Sequence, residues 1–218
     1  LNLGILNHQF IFISYPFGAG GTHIQNLMSL DPDCYPKGSL DHSTFYNELL
    51  DLYSNSNNVW AHYSNHLIFN DEKELIESIK KIDDTLYKKS VHTGHCYSYL
   101  ASKNFLEKLS SIKIIIISAH DQETKKLLKQ RQSRILGKDY IDKTDTMVQY
   151  TEDLLYSRDF FQDFYNVKSQ DLIEIEGSLL YQTDITEILL AMNLEFEMNI
   201  PLDKALILHN LWLKNIVK

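Results

Sequence analysis

Apolar residues recur along this chain with two periods, and the switches between them predict its elements. Residues 10–15, Phe-Ile-Phe-Ile-Ser-Tyr, form a short apolar run that reads as a buried strand. Ile24, Leu27 and Met28 follow at helical spacing. Residues 90–95 predict a second short strand ending in a polar turn. Residues 112–117 give the strongest strand signal. The unbroken run Ile114, Ile115, Ile116, Ile117 suits a central parallel strand covered on both faces. Leu172, Ile173, Glu174, Ile175 and Glu176 alternate as a further strand.

Helical stripes lie between these runs. Phe45, Leu49, Leu52 and Tyr53 form one, Leu75, Ile76, Ile79 and Ile82 a second, and Leu100, Phe105, Leu106 and Leu109 a third. A basic helix is expected over 122–136, with Asp121 as its cap, and an aromatic-rich, mostly helical stretch over 139–164. Ile185, Ile188, Leu189 and Met192 mark another helix. The last is capped by Asp203 and carries Ala205, Leu208 and Trp212 inward. Strands separated by helices imply an α/β fold with a central, mainly parallel sheet flanked by helices in three layers. Ligands of such sheets gather at the C-terminal strand ends. That rule brings three segments to one edge: the residues after Tyr15, residues 92–95, and residues 118–121.

The first of these segments is the most informative. Pro16, Gly18, Gly20 and Gly21 separate the first strand from the first helix, with Thr22 as the expected N-cap. A strand, a glycine loop and a helix start together make an anion site, because free amides and the helix dipole converge there. The loop is no Walker A motif, since Gly21 stands where the lysine belongs, and its spacing is not G-x-G-x-x-G.

Length and composition narrow the picture. The chain has 218 residues, enough for one domain spanning 1–218, with a helical insert expected at 35–88. A net charge of −8 argues against a nonspecific nucleic-acid binder, which carries a basic face. The two cysteines, Cys34 and Cys96, have no metal-site spacing, and a reducing, cytoplasmic setting is expected. No run approaches a membrane-helix length, so no membrane partner is expected, and residues 1–7 are too short and uncharged for a secretory signal.

In this order of motifs the chain resembles the P-loop sulfotransferases, including short members from phages and marine bacteria. Three features carry the likeness: the strand-loop-helix of residues 10–30; Val91-His92-Thr93-Gly94-His95; and Lys113-Ile114-Ile115-Ile116-Ile117 with Asp121. Residues 171–180 and His209-Asn210-Leu211-Trp212 resemble the family's closing strand and helices. The resemblance implies a three-layer P-loop fold and sulfuryl transfer from 3′-phosphoadenylyl sulfate (PAPS) to a hydroxyl acceptor, a small molecule or carbohydrate. On that reading Gly18, Ala19, Gly20, Gly21 and Thr22 hold the phosphosulfate, with His23 as a cation when protonated. His95 is the base and His92 its reserve. Ser118 and His120 bind the nucleotide.

Two departures stand out. No Lys or Arg lies between Pro16 and Thr22, and Ser118-Ala119-His120 replaces the family's Arg-Asn-Pro. For the 3′-phosphate, Arg131 or Arg134, or lysines of the following helix, are the candidate substitutes. A kinase-like phosphotransferase and a non-catalytic anion-binding relative stay open as alternatives.

Overall fold

The computed structural model describes residues 8–16, 18–36, 41–55, 73, 76–77, 80, 86–95, 109, 111–136, 158–159, 162 and 168–216; the side chains at 94–95, 131–136 and 169 fall outside that description. Four parallel strands form one sheet in the order β2-β1-β3-β4: β1 Gln9–Tyr15, β2 Lys89–His95, β3 Ser111–Ser118 and β4 Leu172–Glu176. Helices α1 Gly21–Met28, α2 His42–Asn55, α3 Gln122–Leu136, α4 Thr186–Glu195 and α5 Leu202–Ile216 flank it. The chain is therefore α/β with an all-parallel described sheet. Most of the helical stretches expected at 71–82, 99–109 and 139–164 lie outside the described residues, as does Cys96.

Strand alternation sorts the sheet into two faces. Ile11, Ile13, Tyr15, Val91, Ile115, Ile117 and Ile175 share one face and join a single core with Ile24 and Leu27 of α1, Phe45 and Leu49 of α2, and Leu208 and Trp212 of α5. The other face is also buried, through Phe10, Phe12, Ile114 and Ile116, which explains why β3 shows no polar alternation. This face carries a buried polar row as well. His8 Nδ1–H donates to the Tyr87 carbonyl at 3.2 Å, which leaves His8 Nε2 to accept from the Ser90 hydroxyl at 2.8 Å. Ser90 Oγ in turn accepts from His92 Nε2 at 2.7 Å, and the His92 ring stacks on Phe12.

At the N-terminal edge of the sheet, Lys89 Nζ donates to Asp31 Oδ2 at 3.0 Å and to the Glu197 carbonyl. Asp31 also accepts from the Asp33 amide at 2.8 Å and the Asn199 amide at 3.1 Å. This fully buried carboxylate ties β2 to the turn after α4, where Glu197 holds a left-handed φ of 52°. The Met198 amide bonds Asn193 O there and closes the helix end in a Schellman-type cap.

Two expected caps are corrected. α1 starts two residues earlier than expected, with Gly20 as N-cap at φ 89°, and Thr22 sits inside its first turn. α5 starts at Leu202, with Ala205 N bonded to Pro201 O, so Asp203 lies in the first turn rather than at the cap. In both places a residue that shapes backbone by itself, glycine or proline, fixes the helix start ahead of the polar side chain. Asp121 caps α3 as expected, through Thr124 N at 2.6 Å. Among the described residues, no helix is long and apolar enough to cross a membrane.

Replacing Lys89 by Met leaves the Asp31 carboxylate buried without its cation. The expected loss is about 3–5 kcal/mol in chemical denaturation; an unchanged midpoint contradicts the structural role of the pair.

Candidate functional site

The site is built from the end of β1 upward. Ala19 N bonds Pro16 O at 2.9 Å and closes a tight turn after the strand. Gly18 and Gly20 then take φ values of 92° and 89°, a region that side chains rarely enter. Gly21 has ordinary φ but no room: a Cβ there would stand 2.1 Å from the Tyr15 ring. A Cβ on Gly20 would meet the Trp212 ring at 3.1 Å. The Tyr181 hydroxyl donates to Gly18 O at 3.0 Å, and the Tyr15 hydroxyl lies 3.3 Å from Thr22 Oγ1. Three aromatic rings thus hold the bend. The first helical hydrogen bond of α1 is Ile24 N to Gly20 O, so the amides of Gly21 and Thr22 have no helical acceptor.

His23 does not face an anion at this bend. Its ring is buried, stacked on Trp212 at 4.1 Å and 4°, and it belongs to a directed chain of hydrogen bonds. The Gln182 carbonyl can only accept, so His209 Nε2 carries the proton it donates there at 2.7 Å. His209 Nδ1 then accepts from His23 Nε2–H at 3.0 Å, and His23 Nδ1 accepts from the Tyr53 hydroxyl at 3.2 Å. Asn26 Nδ2 donates to that same hydroxyl at 2.9 Å. The chain joins α1, α2, α5 and the segment before α4. Burial pushes the His209 imidazole below its ordinary value, against the Gln182 carbonyl and the Asp184 carboxylate, which favour its charged form. His23 is therefore a core residue, and the cation expected of it is absent from the bend.

The two histidines of β2 part company. His92 is level with Phe12 and held in the polar row with Ser90, three residues short of the strand end, so it does not reach the edge as a reserve base. His95 is in register with Tyr15, the residue from which the glycine bend departs. Its backbone stands at the C-terminal edge; its side chain, like that of Arg131, lies outside the described residues.

At the ends of β3 and β4 the polar groups are carboxylates and their donors. The Ser118 hydroxyl donates to Glu176 Oε2 at 3.1 Å, and His120 Nε2 lies 3.4 Å from Glu174. Asp121 accepts from the Thr124 amide and from the Thr124 and Ser178 hydroxyls at 2.6, 2.8 and 3.0 Å. Burial pushes the Asp121 carboxyl up, but the Thr124 amide and hydroxyl, with Glu176 and the Ser178 hydroxyl, outweigh it and hold the group at about 2.

The parallel sheet therefore gathers the glycine bend, the His95 backbone and residues 118–121 at one edge, as expected, while His23 and His92 are turned into the core. Sequence reasoning missed the rings of Tyr15, Tyr181 and Trp212 that clamp the bend, and it missed the carboxylates. The alternation of β4 held the second signal, because in a strand Glu174 and Glu176 share one face.

The relay makes stability pH-dependent. With its native-state pKa lowered, His209 binds its proton more readily in the unfolded chain, so its contribution is complete above about pH 6.5, the unfolded value, and falls as pH drops below it. Thermal midpoints measured from pH 7.5 down to 5.5 should decline, with a flatter profile for His209→Gln; equal profiles for the two proteins refute the neutral relay.

No family model matches the chain, and neither a curated protein nor a solved structure matches it.

Proposed function

We propose that this chain is a sulfotransferase-like enzyme: it holds the phosphosulfate end of a nucleotide at the glycine bend and passes the sulfuryl group to a hydroxyl acceptor. One observation carries the reading. The β1–β2 register sets the His95 backbone level with Tyr15, the residue from which the glycine bend departs. An imidazole titrates near neutrality and suits removal of the acceptor's hydroxyl proton. The bend contributes main-chain amides at a helix start, which favour negative charge without a lysine.

PAPS suits one end of this edge better than the other. At the glycine end, the amides of Gly21 and Thr22 have no helical acceptor and can donate to a phosphosulfate. At the other end Ser118 and His120, which the resemblance gives to the nucleotide, are engaged by Glu176 and Glu174. A second reading, a binding protein that keeps the anion cradle without chemistry, is favoured by the lack of any Lys or Arg in residues 16–22.

The discriminating assay is sulfate release or transfer from a mixture of adenosine 5′-phosphosulfate and PAPS, with water and a panel of alcohols and sugars as acceptors. Turnover is expected, and His95→Ala should lower it by about 10²–10⁴-fold, the usual worth of a general base, with nucleotide affinity little changed. Full activity in that variant removes His95 from the role. Binding without turnover favours the second reading, and magnesium-dependent consumption of ATP favours phosphotransfer.

A further inference from the structure

The connection leaving β1 leads to β2 on one side, and the one leaving β3 leads to β4 on the other. The edge beyond the ends of β1 and β3 is thus where the strand order reverses, and open parallel sheets bind ligands in a crevice at such a point. One face of the sheet supplies its floor. Ser14 is level with Gly94 on β2 and with Ile116 on β3, and Ile116 is level with Glu174 on β4; two residues further along, Ser118 pairs with Glu176.

Ser14 is only 4% exposed, yet its hydroxyl has no hydrogen-bond partner. Buried hydroxyls are almost always paired, so this one points to a missing ligand or water. Its neighbour Gly94 adds no side chain beside it. The other described acidic groups at this edge are Glu174, Glu176 and Asp121, and the hydroxyls of Ser118 and Ser178 already donate to two of them. Among the described side chains at this edge, His120 is engaged by Glu174.

We infer that this crevice takes the hydroxyl groups of a nucleotide's ribose, with Ser14 and the Glu174–Glu176 pair as hydrogen-bond partners, and that the nucleotide it accepts carries no 3′-phosphate. The inference rests on the sulfotransferase-like reading and narrows its donor to the adenosine 5′-phosphosulfate class. Carboxylates accept hydrogen bonds from a sugar diol, whereas a phosphate on the same sugar calls for an arginine. A phosphate dianion set beside these acidic groups meets repulsion that a diol does not.

Calorimetry at fixed ionic strength tests this, with adenosine 5′-monophosphate and adenosine 3′,5′-bisphosphate as probes. The monophosphate should bind tighter by about tenfold or more, the effect expected when a hydrogen bond to a charged group is exchanged for repulsion. Glu176→Gln should narrow that ratio, and Ser14→Ala should weaken monophosphate binding while leaving the thermal midpoint unchanged or higher. Equal or tighter binding of the bisphosphate overturns the inference and leaves the sulfotransferase-like reading standing. A ratio untouched by Glu176→Gln, or monophosphate affinity untouched by Ser14→Ala, also overturns it. Binding of neither probe overturns both the inference and the reading beneath it.

Discussion

The Tyr15 ring fills the volume that any side chain at Gly21 would need, and much of the molecule follows from that contact. Overpacking at such a point costs about 1–3 kcal/mol or forces the backbone aside. The ring thereby sets where β1 stops and where α1 begins. Gly18 and Gly20, both left-handed, carry the backbone between these two points, and Tyr181 and Trp212 close over it from the far end of the chain. A bend made this way needs glycine for packing as much as for access by a ligand. Its polar surface is main chain, and its walls are aromatic.

Fixing α1 there also fixes its polar side chains inside the protein. His23, Gln25 and Asn26 are all buried, so each must be paired across the fold. Gln25 spans to β2 through Val91 O at 2.7 Å and Thr93 Oγ1 at 3.1 Å, while His23 and Asn26 meet α2 and α5 through Tyr53 and His209. The direction of that relay, and with it the tautomers, follows from the carbonyl at its end. Buried networks of this kind specify one arrangement because a partly satisfied version is costly. The Asp31–Lys89 pair does the same work at the opposite edge of the sheet, so polar contacts pin α1 and the segment after it at both ends.

Much of the fold was legible in the sequence. β3 and β4 lie where the isoleucine run and the Leu172–Glu176 alternation place them, and α3 runs over the expected residues, because burial on two faces or one leaves a direct mark on residue choice. The edge itself was legible as well, since parallel strands put the ends of β1, β2 and β3 together. The roles of individual polar residues were less so. α1 reads as amphipathic through Ile24, Leu27 and Met28, yet it is buried all round, and nothing local tells that His23 has a partner 186 residues away. Thr22 looked like a cap because the left-handed state of Gly20 leaves no mark beyond its being glycine. The carboxylates at the end of β4 became meaningful only once that strand was seen to lie next to β3.

The account stands or falls on whether backbone amides at the bend hold an oxyanion. Backbone amide NMR shifts, followed during titration with inorganic pyrophosphate and again with sulfate at constant ionic strength, address it directly. The account predicts saturable changes largest at Gly20, Gly21 and Thr22. Uniform small drifts, or changes centred elsewhere while those three amides stay still, contradict it.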